Sequence, residues 1–309
     1  MKEKPKTGKW IVLLGVILFL LLIGFILSAI VSIFFGFDSG IVDGNVAVIP
    51  IKGVIMADKT RGFFSETASS SDIVELIKKA DENPEIKAII FDINSPGGSA
   101  VASDEIAGAI KKANKTTVSV IREVGASGAY WVASSCDYVI ANRMSITGSI
   151  GVIASYLQFS GLLNDYNVTY ERVVAGKYKD MGSPFKELTP AEKTMFDKKL
   201  GILHNYFIEE VAKNRKLSKD EVAKLADGQF FIGSEAKDVG LVDMLGNMDD
   251  AAGYIERKLN ITAEITEYKK PATLIDILSE AMSENSFFVG KGIGYAMFEN
   301  KDNGISIRT

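Results

Sequence analysis

A long run without a charged side chain, from Trp10 to Phe37, constrains this chain more than any other feature. As a helix rising 1.5 Å per residue it would be roughly 40 Å long, which exceeds the ~30 Å hydrocarbon core of a bilayer. A cleavable signal peptide has an apolar region of only about 7–15 residues and a small-residue cleavage site after it, and this run has neither property. The sequence therefore predicts one uncleaved transmembrane helix over residues 10–37.

Basic residues before this run predict its orientation. Because positively charged flanks stay in the cytoplasm, residues 1–9 are predicted to be a cytoplasmic tail, and the chain after the anchor is predicted to lie outside the cell membrane. That part divides into a linker (38–45), an extracytoplasmic domain (46–296) and a flexible C-terminal tail (297–309). The lysines concerned are Lys2, Lys4, Lys6 and Lys9.

Apolar strands alternate with helical patterns over the first half of the domain. Residues 88–93 and 117–121 are nearly continuous apolar or β-branched runs, which is typical of strands buried on both faces of a parallel sheet. A further strand is expected over residues 169–174, and a long helix from Thr189 to about Arg215. The alternation predicts an α/β fold with a mainly parallel sheet.

The composition excludes several classes of site. The chain has 309 residues and a formal charge of −4, a balance unlike that of a nucleic-acid-binding protein. Its one cysteine, Cys136, excludes an intramolecular disulfide and a metal–thiolate cluster. Its one histidine, His204, excludes a zinc site built on several histidines, and any Ser-His-Asp triad would have to use it. We interpret Cys136 as a buried residue and His204 as a helix-packing or surface residue.

Ser127 lies between an apolar run and a segment of small residues with good helix formers. Residues 117–121 predict a buried strand and residues 129–135 a helix, so Ser127 is placed at a strand-to-helix turn. Small neighbours let a substrate backbone approach the hydroxyl, and N–H groups at a helix start can stabilise negative charge. This is a common setting for a nucleophilic serine, and a helix N-cap is the alternative interpretation.

A nucleophilic serine needs a base, and lysine is the next candidate after the single histidine. The lysine pKa of ~10.4 must then fall by about 3 pH units, roughly 4 kcal/mol, through burial and the lack of a counter-charge. Lys177 and Lys179 lie in a loop with glycine and aromatic neighbours, and Asp180 must point away from Lys179 if that lysine is to lose its proton. These residues leave both lysines open, and a solvated surface position is the ordinary alternative for either.

Four motifs, in their order and spacing, resemble those of the signal peptide peptidase A family. These are membrane-anchored Ser/Lys peptidases of the ClpP/crotonase superfamily, and the resemblance covers roughly residues 45–255. It implies a ClpP/crotonase-like fold of repeated ββα units with a mainly parallel sheet, and no cofactor or metal. The motifs are Ser95-Pro96-Gly97-Gly98, Gly125-Ala126-Ser127-Gly128-Ala129-Tyr130, Thr147-Gly148-Ser149-Ile150-Gly151 and Lys177-Tyr178-Lys179-Asp180.

The resemblance also implies a role for each matching residue. Ser127 is the expected nucleophile, Lys179 the expected general base, and Ser149 the residue that holds the lysine through a hydrogen bond. The N–H groups of Gly98 and Gly128 are the expected oxyanion hole.

The resemblance further implies the partners of the chain. The expected substrates are cleaved signal peptides and other apolar peptides in the membrane. Short members of the family carry one copy of the catalytic fold and complete their active site by assembly, with serine and lysine from neighbouring subunits. A ring-like homo-oligomer is therefore expected, with an octamer as one candidate size.

Three alternatives remain at this stage. One is a related membrane peptidase that acts on a stomatin-like partner, which motifs cannot distinguish. Another is a crotonase-type acyl-CoA enzyme, which the extracytoplasmic location and the Ser/Lys pair disfavour. The third is an inactive scaffold, which the presence of Ser127, Ser149 and Lys179 disfavours.

Overall fold

The structure, a computed structural model, describes residues 14–27, 44–58 and 67–269. Residues 14–27 form helix α1, whose apolar side chains are exposed. Among the described residues, no helix is long and apolar enough to cross a membrane. The predicted anchor over residues 10–37 extends beyond this helix at both ends, outside the described residues, as do the end of the predicted domain and the C-terminal tail.

The central sheet of residues 44–269 has eight strands in its described part. Six of them follow the order β10-β1-β4-β5-β6-β9, and all pairs along this path are parallel. Strand β7 pairs in parallel with the last residues of β5 and antiparallel with β8. Strands β2 and β3 form a separate small parallel sheet. The strands are β1 (Val46–Lys52), β2 (Val54–Met56), β3 (Thr67–Ser69), β4 (Ala88–Ser95), β5 (Thr116–Ala126), β6 (Tyr138–Ala141), β7 (Ile146–Gly148), β8 (Phe230–Ile232), β9 (Met244–Leu245) and β10 (Ile265–Glu267).

Helices pack on both faces of this sheet. On one face, Val118 and Val120 of β5 join a buried cluster with Ala251 and Ile255 of α9. On the other face, Ser119 donates a hydrogen bond to a carbonyl of α4. The helices are α2 (Ser70–Glu82), α3 (Ala100–Lys112), α4 (Gly128–Ser134), α5 (Ser160–Asp165), α6 (Pro190–Arg215), α7 (Lys219–Leu225), α8 (Gly233–Asp238) and α9 (Met248–Leu259).

The prediction of a mixed α/β fold with a mainly parallel sheet is confirmed. Helix α6 also begins where predicted, because the Thr189 side chain and Glu192 form a reciprocal capping box with proline at the first turn. The strand predicted over residues 169–174 was wrong. This segment has no strand partner in the described part of the chain, and Val173 within it is fully exposed. A β-branched run forms a strand only where a neighbouring strand and a core accept it.

Candidate active site

Ser127 stands at the junction of β5 and α4, in an unusual backbone conformation. Its φ of 53° and ψ of −126° lie in a region that L-residues rarely adopt. The turn is held by hydrogen bonds from the Ser127 N–H to the Gly148 carbonyl at 2.8 Å and from Tyr130 N–H to the Ser127 carbonyl at 2.9 Å. Strained residues that the surrounding structure fixes in this way cluster at functional sites.

The Gly97-Gly98 loop packs directly against this turn. A Cβ atom at Gly97, whose φ is +95°, would lie 2.7 Å from the Gly128 nitrogen. A Cβ at Gly98 would lie 2.0 Å from the Ile55 carbonyl oxygen, because Gly98 forms a parallel bridge with Ile55 of β2. Only glycine therefore fits at either position.

The bridge with β2 determines where the Gly98 N–H points. The Ile55 N–H donates to the Gly97 carbonyl, and the Ile55 carbonyl accepts from the Ser99 N–H. The Gly98 N–H therefore points away from β2. Gly128 opens α4, where the N–H groups have no partner within the helix. Within the described residues neither N–H has a hydrogen-bond acceptor, so both remain available to a ligand.

These groups line one cavity of about 1100 Å³, which we call the serine cavity. Ser127, Gly98, Gly128 and Ser149 all belong to its wall. Of the predicted site residues, these four are therefore brought together within one chain. Ser149 also has a positive φ, of 50°, and its Oγ lies 3.4 Å from the Gly228 carbonyl oxygen.

Helix α6 forms the wall that faces the serine turn, a position that was not predicted from the sequence. Phe207 packs on Trp131 with ring centroids 4.9 Å apart, and His204 lines the same cavity one turn earlier. Cavity-lining positions recur along α6 at the three- and four-residue spacing of one helix face, which was the available signal. His204 Nε2 is buried and has no hydrogen-bond partner in the described part of the chain.

Lys179 lies elsewhere. It does not line the serine cavity, and it belongs to an exposed stretch, residues 151–188, which we call the lysine segment. Its N–H donates to the Gly176 carbonyl at 3.1 Å in a tight turn. Lys177 places its ammonium 5.1 Å from the ring centroid of Tyr178, a cation–π contact. Within one described chain the serine and the two candidate lysines are therefore not brought together around this cavity.

A network of ion pairs holds the end of the lysine segment. The Asp180 carboxylate, whose side chain is 8% exposed, accepts one hydrogen bond at Oδ1 from Arg172 Nη2 at 2.8 Å, and its Oδ2 lies 2.7 Å from Arg172 Nε as an ion pair. Lys186 lies 3.6 Å from Asp180 and donates to Glu192 of α6 at 2.6 Å. The Lys186 hydrogen bond, together with the Thr189 backbone N–H, lowers the pKa of Glu192 to about 2. Asp180 is thus engaged with Arg172 and Lys186, which leaves Lys179 without that counter-charge.

Two further ionisable groups near the serine are structural. Burial raises the pKa of the Cys136 thiol and that of the Tyr130 phenol, so both stay protonated at neutral pH. Tyr130 donates to the Leu241 carbonyl at 2.9 Å, and Arg215 at the end of α6 forms a two-armed ion pair with Asp243. Burial opposes the charge of Arg215, but the Asp243 carboxylate outweighs it and raises the Arg215 pKa.

Among the described residues, no group of three His, Cys, Asp or Glu side chains could hold a metal ion.

Comparisons with known proteins connect this geometry to a family. Residues 109–262 match the model of peptidase family S49, and this range contains Ser127, Ser149 and Lys179. A protein of Methanocaldococcus jannaschii named "Putative protease MJ0651" is 33% identical over 229 residues, 73% of this chain and 72% of that protein. A protein of Enterococcus faecium named "Putative signal peptide peptidase SppA" is 31% identical over 260 residues, 80% of this chain and 76% of that protein.

A longer relative matches in part. Protease 4 of Haemophilus influenzae is 33% identical over 222 residues, 71% of this chain, and the match spans 35% of that protein.

Proposed function

This chain belongs to peptidase family S49 and is a serine peptidase, and we propose that it cleaves peptide bonds with a Ser/Lys dyad formed by Ser127 and Lys179. One observation carries this proposal above all: Ser127 occupies a strained turn beside two unpartnered N–H groups in one cavity. A nucleophile next to preorganised donors is the arrangement that acyl transfer requires.

In the proposed mechanism, neutral Lys179 removes the proton of the Ser127 hydroxyl, and Ser127 Oγ attacks the peptide carbonyl carbon. The Gly98 and Gly128 N–H groups donate to the oxyanion of the tetrahedral intermediate. Lys179 then protonates the leaving amine, and an acyl-enzyme forms. Water gives up a proton to the same lysine and attacks the ester carbonyl carbon. The lysine returns that proton to Ser127 Oγ as the ester bond breaks, which frees the serine, and the product leaves as a carboxylic acid that ionises in water. Ser149 orients the lysine through a hydrogen bond.

Assembly completes the proposed site. Because Lys179 does not line the serine cavity of its own chain, we place it in the cavity of a neighbouring copy. The lysine segment supports this assignment, since it exposes apolar side chains that a partner would cover. A head-to-tail contact of this kind closes into a ring, and an octamer remains one candidate size. We also propose that the fold is built from the repeated ββα units of the ClpP/crotonase superfamily.

Cleaved signal peptides are the proposed substrates. A relative named for this activity matches most of the chain. The serine cavity also has large apolar residues in its walls, among them Trp131, Phe207 and Leu203, which suit apolar peptides.

We also propose that residues 10–37 anchor the chain with its N-terminus in the cytoplasm. Support comes from the uncharged run and the lysines before it. Alkaline carbonate extraction of membranes tests this: the full chain is expected to stay in the membrane pellet, and residues 41–309 are expected in the supernatant. Release of the full chain would overturn the anchor.

Peptide hydrolysis by the purified full chain tests the dyad. Ser127→Ala and Lys179→Ala are each expected to lower kcat by about 10⁴-fold, while Lys177→Ala keeps its activity. Full activity of Lys179→Ala would show that the base is misassigned. In that case His204→Gln identifies whether the histidine that lines the serine cavity takes its place.

A further inference from the structure

A second cavity, of about 780 Å³, opens on the sheet face that carries α9. We call it the sheet-face cavity. Its walls come from the ends of β4 and β5, the turn before β7, and the first residues of α9. No lining residue is shared with the serine cavity. Crevices beyond the carboxyl ends of parallel strands are where ligands bind in open α/β sheets.

The side-chain alternation of the strands places this cavity opposite the serine. Val118 and Val120 face α9, whereas Ser119 between them bonds to α4, which follows Ser127. Asp92 is the register partner of Val120, and the residues before it on β4 at the same spacing also pack on the α9 side. The two cavities therefore lie on opposite faces of one sheet.

Asp92 lines the sheet-face cavity and is buried, with 8% of its surface exposed. Its Oδ1 has no hydrogen-bond partner in the described part of the chain. Two cations approach only the other oxygen, Lys52 at 3.8 Å and Arg122 at 3.9 Å, and both distances exceed a hydrogen bond. A buried carboxylate whose cations stay beyond hydrogen-bond distance is costly, so a ligand cation that pairs with it would be stabilising.

The charge of the walls indicates which donor fits. The charged lining residues are three acids, Asp92, Glu123 and Asp249, and one base, Arg122, whose side chain is 60% exposed. Lys52, 3.8 Å from Asp92, adds a second positive charge beside these walls, so the acids still outnumber the bases by one. The N–H groups at the positive, N-terminal end of α9 already have an acceptor, because the Asn247 side-chain oxygen caps the first of them. The walls therefore favour a cation over an anion.

Apolar side chains form the remainder of the walls. Met144, which is 72% exposed, stands at the mouth, and Ile146, Met248 and Val120 lie with it around the cavity. Flexible methionines adapt to varied apolar partners. A ligand that fits both features carries one cationic side chain beside apolar ones.

We propose that the sheet-face cavity is an exosite for a peptide segment in which a lysine or arginine is flanked by apolar residues. The basic side chain pairs with the Asp92 carboxylate, and its neighbours pack on Met144 and Met248. The proposal takes peptides as its ligand class from the proposed function. It does not depend on Lys179, or on which peptide bond is cleaved.

A binding measurement tests the exosite in the full chain carrying Ser127→Ala, which holds the peptide without cleaving it. The probes are a fluorescein-labelled peptide with one lysine between leucines, and the same peptide with norleucine for lysine. Fluorescence anisotropy is expected to show the lysine peptide binding about tenfold more tightly, the usual effect of a charged hydrogen bond. With Asp92→Asn added, the two peptides are expected to bind equally. Equal binding before that change, or a preference that survives it, would overturn the proposal.

Surface variants keep the test valid if Asp92→Asn impairs folding. Met144→Lys adds a positive charge at the mouth and is expected to weaken binding of the lysine peptide several-fold. Ile265→Lys, at the far β10 edge of the sheet, adds the same charge and is expected to leave binding unchanged. Circular dichroism of each variant reports its folding.

A third variant distinguishes the two cavities. Leu203→Lys places the charge in the serine cavity. If binding falls with Leu203→Lys and not with Met144→Lys, the peptide occupies the serine cavity and the exosite is wrong. If Met144→Lys instead lowers the mass measured by light scattering, a second copy of the chain covers this surface, which also overturns the proposal. Failure of hydrolysis with intact, Asp92-dependent binding would count against the proposed function alone.

Discussion

The serine turn and the lysine segment are built in opposite ways. Around Ser127 the chain is closely packed: Ala129 and Tyr130 are fully buried, and a strand bridge fixes the Gly98 N–H. The lysine segment exposes its apolar side chains, with Val173 fully accessible and Leu157 at 74%. One half of the candidate site is therefore complete within a single chain, while the other half is not.

The geometry of the two halves has different origins. The core of the chain positions Ser127, the proposed nucleophile, and the Gly98 and Gly128 N–H groups, the proposed oxyanion donors, so their arrangement needs no partner. The lysine segment is tied down at one end by the ion pairs of Asp180 and Lys186, and the rest of it lacks a core of its own. Apolar surface of this extent is typically covered by another chain. Four experiments test whether the two halves differ in this way.

Mixing two inactive variants should change the measured activity most. Ser127→Ala supplies a lysine and Lys179→Ala supplies a serine, so subunits that exchange and share sites should regain activity. Random pairing at head-to-tail interfaces restores about a quarter of the sites, measured as peptide hydrolysis after joint refolding. A mixture that stays as inactive as its components would show that each site uses serine and lysine from one chain.

Gly98→Ala tests the packed half. The added Cβ would lie 2.0 Å from the Ile55 carbonyl oxygen, so the loop must move and the N–H donor with it. Loss of one oxyanion donor lowers kcat by about 10²–10³-fold, with a smaller change in KM. Gly108→Ala, where a Cβ meets nothing within 4 Å, is the control and should keep full activity. A Gly98→Ala enzyme with normal kcat would remove Gly98 from the oxyanion hole.

Val173→Asp tests the exposed half. A charge on a fully accessible side chain cannot harm the core, but it disfavours burial against a partner. We expect the mass seen by light scattering to fall and activity to drop about tenfold at low protein concentration, with recovery as concentration rises. Ile265→Asp, on the β10 edge, is the matched control. Unchanged mass and activity would place the partner surface away from Val173.

The smallest effect concerns acid stability. The pKa of Glu192 is about 2 in the folded chain and ordinarily 4.5, so its ion pair with Lys186 stabilises the fold fully above pH 4.5. That contribution is lost as pH falls from 4.5 towards 2. Thermal unfolding should therefore show a steeper acid-side decline for the unmodified chain than for Glu192→Gln. Parallel curves for the two proteins would contradict the linkage.

The sequence was sufficient to predict those parts of the fold in which the local residue pattern and burial agree. Buried strands, the turn at Ser127 and the capping box at Thr189 each follow from short-range rules, and the structure has them in place. Gly98 and Gly128 could be associated with Ser127 through the resemblance. Their contact depends on the bridge between Ile55 and Gly98, residues far apart in sequence, which no local pattern encodes.

The features that the sequence did not predict depend on tertiary context. The strand expected over residues 169–174 had the right residue types, but no neighbouring strand was available to it. The position of α6 across the cavity from Ser127 likewise follows from long-range packing of Phe207 on Trp131. The buried, unsatisfied Asp92 could not be recognised either, since an acidic residue in an apolar strand does not reveal which face it occupies.

The backbone angles of Ser127 carry an evolutionary consequence. A residue held in such a region costs about 1–3 kcal/mol, and glycine would adopt the same angles with little penalty. Without selection for activity, mutation would therefore favour a glycine at this position, which gives a more stable chain that has no peptidase activity. A serine kept at this position would mark selection for chemistry, and thermal unfolding of Ser127→Gly would measure how much stability that selection has cost.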